Sequence, residues 1–175
     1  MRPLSSLALA LTAAAMLAVG GGAAVASAGS AAAFCTGSQL TGSFSVVPGS
    51  PGAGNITYAL VLRNSSHATC DLTGLPSVRL LGKTGKPLPT HVQAAFPGAL
   101  TAILVRLAPG QHARATARFS PDVPGVGEPT QGTRCEAVAY RLRVTAKGGG
   151  TTTVAIHPPT SVCEHGRLLF SAYGR

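Results

Sequence analysis

From residue 40 onward the apolar side chains of this chain recur with period two, and no stretch holds a helical period over the roughly ten residues that a helix needs. That pattern restricts the chain to strands. Segments 40–47, 56–63, 77–81, 99–107, 113–119, 137–145, 151–156 and 167–172 alternate most clearly, and Gly and Pro separate them. In segment 137–145, Val138, Tyr140, Leu142 and Val144 are expected on a core face, with Arg141 and Arg143 turned to water. Gly82-Lys83-Thr84-Gly85 and Pro109-Gly110 read as chain reversals. About seven to nine short strands predict an all-β fold, a two-sheet antiparallel β-sandwich, immunoglobulin-like in general architecture. The chain has no tryptophan, so antibody-type topology with its buried strand C tryptophan is not implied. Two irregular stretches remain, 48–55 and 120–134, and the second reads as a mobile connection rather than a functional loop.

The N-terminal residues carry a different signal. Arg2 precedes an apolar run over 7–19, and Ala26-Ser27-Ala28 and Ala31-Ala32-Ala33 both fit small-residue cleavage sites. Residues 1–33 therefore read as a secretory signal peptide cleaved after Ala28 or Ala33, and residues 34–175 as a single domain. The apolar run ends at Gly20-Gly21-Gly22, well short of the ~20 residues that span a bilayer, so no transmembrane segment is predicted. Phe34 stands where a lipoprotein signal wants a small residue, which argues against acylation of Cys35.

All four cysteines, Cys35, Cys70, Cys135 and Cys163, fall beyond the signal, as in a disulfide-stapled extracellular domain. Three pairings are open to them. Sequential pairing, Cys35 with Cys70 and Cys135 with Cys163, is favoured because each staple would tie a chain end to the sheets. Each would be worth about 3.5–4 kcal/mol on the chain-entropy argument. No pair has the close spacing of a redox motif. Cys163-Glu164-His165 and His67-Ala68-Thr69-Cys70 are local clusters that do not repeat at zinc-finger spacing, and both methionines lie in the signal, so neither a metal nor a cofactor is predicted.

The run Leu62-Arg63-Asn64, then Cys70-Asp71-Leu72-Thr73-Gly74-Leu75-Pro76, Val78-Arg79-Leu80 and the Gly85 turn resemble the secreted actinobacterial family known as domain of unknown function 4232. Leu107-Ala108-Pro109-Gly110 with Ala113, then Cys135 and Val162-Cys163, continue the same pattern, so the resemblance spans the whole chain beyond the signal. Leu75 and Phe119 depart from the residues often found at those places, and both are core or turn positions. The resemblance implies a secreted or envelope-attached β-sandwich and brings no activity with it.

Charge supplies the functional expectation. Beyond Arg2 the chain carries thirteen basic residues against five acids, a net of about +8. Asp71, Glu136 and Glu164 each directly follow a cysteine. If Cys135 pairs with Cys163, Glu136 and Glu164 could lie close together as a carboxylate pair suited to hydrolysis. Residues beside a disulfide commonly face solvent, however, and Arg134 and His165 stand near enough in sequence to neutralise these acids. There is no nucleophile elbow either, so no enzyme is predicted. Arg114 and Arg118 on one strand and Arg141 and Arg143 on another point outward, and if their strands share a sheet they form one basic patch for an anionic cell-envelope polymer. Few aromatics are left to stack on bases, which argues against specific nucleic-acid recognition. The alternative is an extracellular protein partner or inhibitor target met by loop 120–134.

Overall fold

The computed structural model describes residues 32–99, 103–130 and 134–175; the signal-peptide reading of 1–33 lies almost wholly outside them. Among the described residues ten strands form: β1 (Leu40–Val46), β2 (Ile56–Asn64), β3 (Cys70–Thr73), β4 (Ser77–Leu81), β5 (His91–Ala94), β6 (Leu104–Leu107), β7 (His112–Phe119), β8 (Ala139–Thr145), β9 (Thr151–Thr160) and β10 (Arg167–Phe170). Residues 31–175 make one compact unit. Among the described residues no helix is long and apolar enough to cross a membrane.

The fold is all-β, but its layering differs from two antiparallel sheets. Eight strands run in one sheet, in the order β4-β8-β9-β1-β2-β7-β10-β5, and β3 and β6 pair apart from it. The ten-residue β9 causes the difference. It is antiparallel to β8 along one edge, while Ile156 and His157 are parallel partners of Phe44 and Ser45 on β1 along the other. What would have been a gap between two sheets is thereby closed by hydrogen bonds. The outer strands also approach each other: the Leu88 N–H donates to the Leu80 carbonyl at 2.9 Å, and the Leu80 N–H donates to Thr90 Oγ1 at 3.0 Å in the segment leading into β5. The large sheet is thus nearly closed and barrel-like, an arrangement that leaves little free strand edge.

Its interior is set by alternation. Phe44, Tyr58, Phe119 and Phe170 come from four strands of the sheet and pack as one aromatic group, with ring centroids 5.1 Å apart for Phe44–Tyr58 and 5.2 Å for Tyr58–Phe119. Leu72, Val105 and Leu107 of the β3-β6 pair belong to the same core. Leu142 and Val144 face it while Arg141 and Arg143 face water. At the other end of β8 the expected phase is corrected: Ala139 is the buried residue, and Val138 and Tyr140 are only half-buried. The β8–β9 register shifts between Ala139 and Arg141, where two residues of β8 lie against five of β9, and an irregularity of this kind breaks the alternation of inward and outward side chains.

Candidate functional site

Cys35 is bonded to Cys70 and Cys135 to Cys163, with Cα–Cα distances of 4.8 and 5.5 Å. The two staples lie in different surroundings. At the first, Asp71 on β3 is directly opposite Arg106 on β6. The expectation that acids beside the disulfides face solvent is corrected here: Asp71 is buried, and Arg106 Nε and Nη2 donate to its two oxygens at 3.2 and 3.4 Å. The pair raises the Arg106 guanidinium further above its ordinary value, chiefly through that hydrogen bond.

The second staple carries the denser chemistry. After Cys163 the chain makes a turn in which Glu164 (φ 56°) and His165 (φ 57°) are both left-handed, followed by Gly166 (φ 78°). Left-handed conformation costs a non-glycine residue roughly 1–2 kcal/mol, so two in succession require an opposing interaction. Glu128 provides it. Its side chain is 2% exposed; Oε2 accepts from Gly125 N at 2.6 Å and from Glu164 N at 2.9 Å, and Oε1 accepts from His165 N. Consecutive N–H groups thus form a concave nest around a carboxylate. At Gly166 a Cβ would collide with the Pro89 carbonyl, so glycine is required on steric grounds as well as by its φ.

This anchoring corrects the reading of 120–134 as a mobile connection, as far as its described residues go. Ser120 and Glu128 are buried, Cys163 N donates to the Ser120 carbonyl at 2.9 Å, and Gly125 lies so close to the Glu164 backbone that a side chain there would press on it. Above the anchor the loop raises Val126, which is 97% exposed.

Glu136 meets Glu128, not Glu164 as the sequence suggested. Glu164 turns away and pairs with Arg167. His165 Nδ1 sits between the other two acids, 3.7 Å from Glu128 Oε1 and 3.8 Å from Glu136 Oε1, and its Nε2 lies 3.0 Å from the Val126 carbonyl oxygen. The two acids diverge in proton affinity. Burial pushes Glu136 above the usual carboxylate range and the Glu128 charge adds to this, with His165 opposing. Burial acts on Glu128 in the same direction, but its three backbone N–H donors and His165 bring it below that range. Beside Glu136 opens a groove of about 1040 Å³ whose polar lining includes Asp122, Arg134 and Ser161. Sequence reading passed over Glu128, because an acid within Gly-Val-Gly-Glu-Pro looks like any solvated loop residue and its partners are 36 and 37 residues away.

The arginines fall into two groups. β7 and β8 do share a sheet, but β9, β1 and β2 stand between them, a separation of about 19 Å along a flat sheet at ~4.8 Å per strand. The expected single patch is therefore corrected to two faces. Arg141 and Arg143 on β8 join Arg79 of β4, which is the cross-strand partner of Arg143. Arg114 and Arg118 on β7 lie with Arg63 of β2. All are exposed.

Two disulfides, a nearly closed sheet and an acidic corner anchored by backbone N–H groups define a stapled all-β domain. Within that class the chain belongs to the family described as Domain of unknown function (DUF4232), which it matches over residues 35–171. No curated protein and no solved structure matches it.

Proposed function

We propose that this protein is a secreted, non-enzymatic binding module that uses the β4–β8 face to hold an anionic polymer of the cell envelope. The observation that carries the reading is the pairing of Arg79 with Arg143 across the two strands, flanked by Arg141. Like charges directly opposite one another destabilise a sheet unless an anion lies over them. The protein supplies none. All five acids are described: Asp71 is committed to Arg106, Glu164 to Arg167, Glu128 and Glu136 to the Cys135–Cys163 corner, and Asp122 lies on the groove beside that corner. Negative charge is thus confined to two corners and the sheet faces carry only positive charge, the separation that guides a polyanion to one surface. Two disulfides suit an oxidising extracellular compartment. The three backbone N–H groups on Glu128 hold its proton affinity low, which speaks against its use as a catalytic base.

The test is co-sedimentation of the oxidised protein with isolated cell walls at low and high salt. Binding at low salt that disappears at high salt is expected, and replacing Arg79, Arg141 and Arg143 together by serine should abolish it, whereas replacing Arg114 and Arg118 should weaken it far less. Absence of binding at both salts would sink the proposal. A second reading, a protein partner met by the 120–130 loop, is favoured by the exposed Val126 on its anchored base. In that case binding to a partner would persist at high salt and be lost in Val126→Asp.

A further inference from the structure

We propose that Glu128, Glu136 and His165 form a site for one zinc-class divalent cation, independent of the arginine faces. The argument begins with the imidazole. A backbone carbonyl can only accept, so the 3.0 Å contact between His165 Nε2 and the Val126 oxygen places the ring proton on Nε2 and leaves Nδ1 as a bare lone pair in the neutral side chain. That lone-pair atom faces Glu128 Oε1 at 3.7 Å and Glu136 Oε1 at 3.8 Å, and the three atoms all lie within 4.8 Å of one another. Three acceptors converge with no donor among them. A proton shared by the two carboxyl groups would relieve one contact and leave Nδ1 to water, and a proton on Nδ1 would pair the ring with both acids. A metal ion satisfies all three at once.

The geometry fits a small tetrahedral ion. Bonds of about 2.0–2.2 Å at tetrahedral angles place donors about 3.4 Å apart, so the two His165 contacts close by a few tenths of an ångström and the two carboxylate oxygens approach from within 4.8 Å. The two side chains that must move are the less buried ones, His165 at 55% and Glu136 at 19% exposure, while Glu128 is held fixed. Outer contacts of the kind that orient metal ligands are already in place: the Val126 carbonyl on the far nitrogen of His165, and the Gly125 and Glu164 N–H groups on the far oxygen of Glu128. One imidazole with two carboxylates suits zinc better than calcium or magnesium, which prefer an all-oxygen shell. The Cys135 and Cys163 sulfurs also approach Glu128, but as a disulfide they supply no thiolate. The fourth position is left to water or an exogenous donor.

The oxidised protein, stripped with a chelator, is titrated with zinc chloride by calorimetry while its melting temperature is followed, with calcium and magnesium in parallel. Uptake of one zinc per chain with a raised melting temperature is expected, and about tenfold or greater weakening in both His165→Asn and Glu136→Gln. Asparagine is chosen because it tolerates the left-handed backbone at 165, and circular dichroism checks that each variant is folded. No uptake by the unaltered protein would overturn the site and leave a shared proton to hold the cluster. Unaltered uptake in either variant, or equal uptake of calcium, would overturn it as well.

Discussion

Asn64 ends β2 fully buried, with every hydrogen-bonding position of its side chain in use. Nδ2 donates to the Ala68 carbonyl at 2.7 Å and the Leu107 carbonyl at 2.9 Å, and Oδ1 accepts from Ser66 N at 3.0 Å and Ser66 Oγ at 2.7 Å. One side chain thereby joins the β2–β3 corner to β6, the partner strand of β3. Replacing it with alanine strands the buried Leu107 carbonyl and frees the corner from its Ala68 bond, and we expect Asn64→Ala to lose about 2–3 kcal/mol in urea unfolding. A loss below about 1 kcal/mol would mean that the corner relaxes to admit solvent. Half of this role is legible in the chain, since Asn-Ser-Ser announces a local turn. The bond to Leu107 is not, because 43 residues intervene. Glu128 follows the same logic: Gly125 is a local donor, while Glu164 and His165 are brought to it only by folding.

Among the elements, strands with one wet and one dry face were readable and the others were not. Segments 56–63, 77–81 and 113–119 correspond closely to β2, β4 and β7, whose side chains alternate over most of their length. β3 was missed because it is only four residues long: Cys70-Asp71-Leu72-Thr73 does alternate, but so short a run does not stand out from the turns around it, and the burial of Asp71 is set by Arg106 on another strand. β5 was missed because it is a four-residue outer strand with no fully buried side chain. The segment expected over 99–107 is a strand only at Leu104–Leu107, after a 3-10 turn at Pro97–Ala99, and 100–102 lie outside the described residues. The two disulfides brace different elements, so their removal should have distinguishable effects. Cys35→Ser with Cys70→Ser is expected to cost about 3.5–4 kcal/mol of global stability. Cys135→Ser with Cys163→Ser should cost a similar amount and in addition release the 120–130 loop, which limited proteolysis followed by mass spectrometry would detect as cleavage there. Equal protease resistance in both variants would mean that the Glu128 contacts hold the loop unaided.

At the scale of the whole molecule, charge is sorted by place. Carboxylates gather at the two stapled corners while the sheet faces are basic, and Arg79 opposite Arg143 is the most crowded point. Self-repulsion of this kind is screened by salt, so raising sodium chloride from about 0.02 M to about 0.3 M should increase the melting temperature by about 2–4 °C. A fall over that range would show that the ion pairs at the corners outweigh repulsion across the faces. Sequence alone determined the all-β class, the placement of most strands and the excess of positive charge, because side-chain alternation and composition are local properties that a strand carries wherever it lies. The tertiary structure decided that one strand would join what might have been two sheets, that β7 and β8 would stand apart and split the arginines into two faces, and that Glu128, Glu136 and His165 would meet. Those outcomes depend on strand order and on contacts between distant segments, and side-chain alternation is indifferent to both.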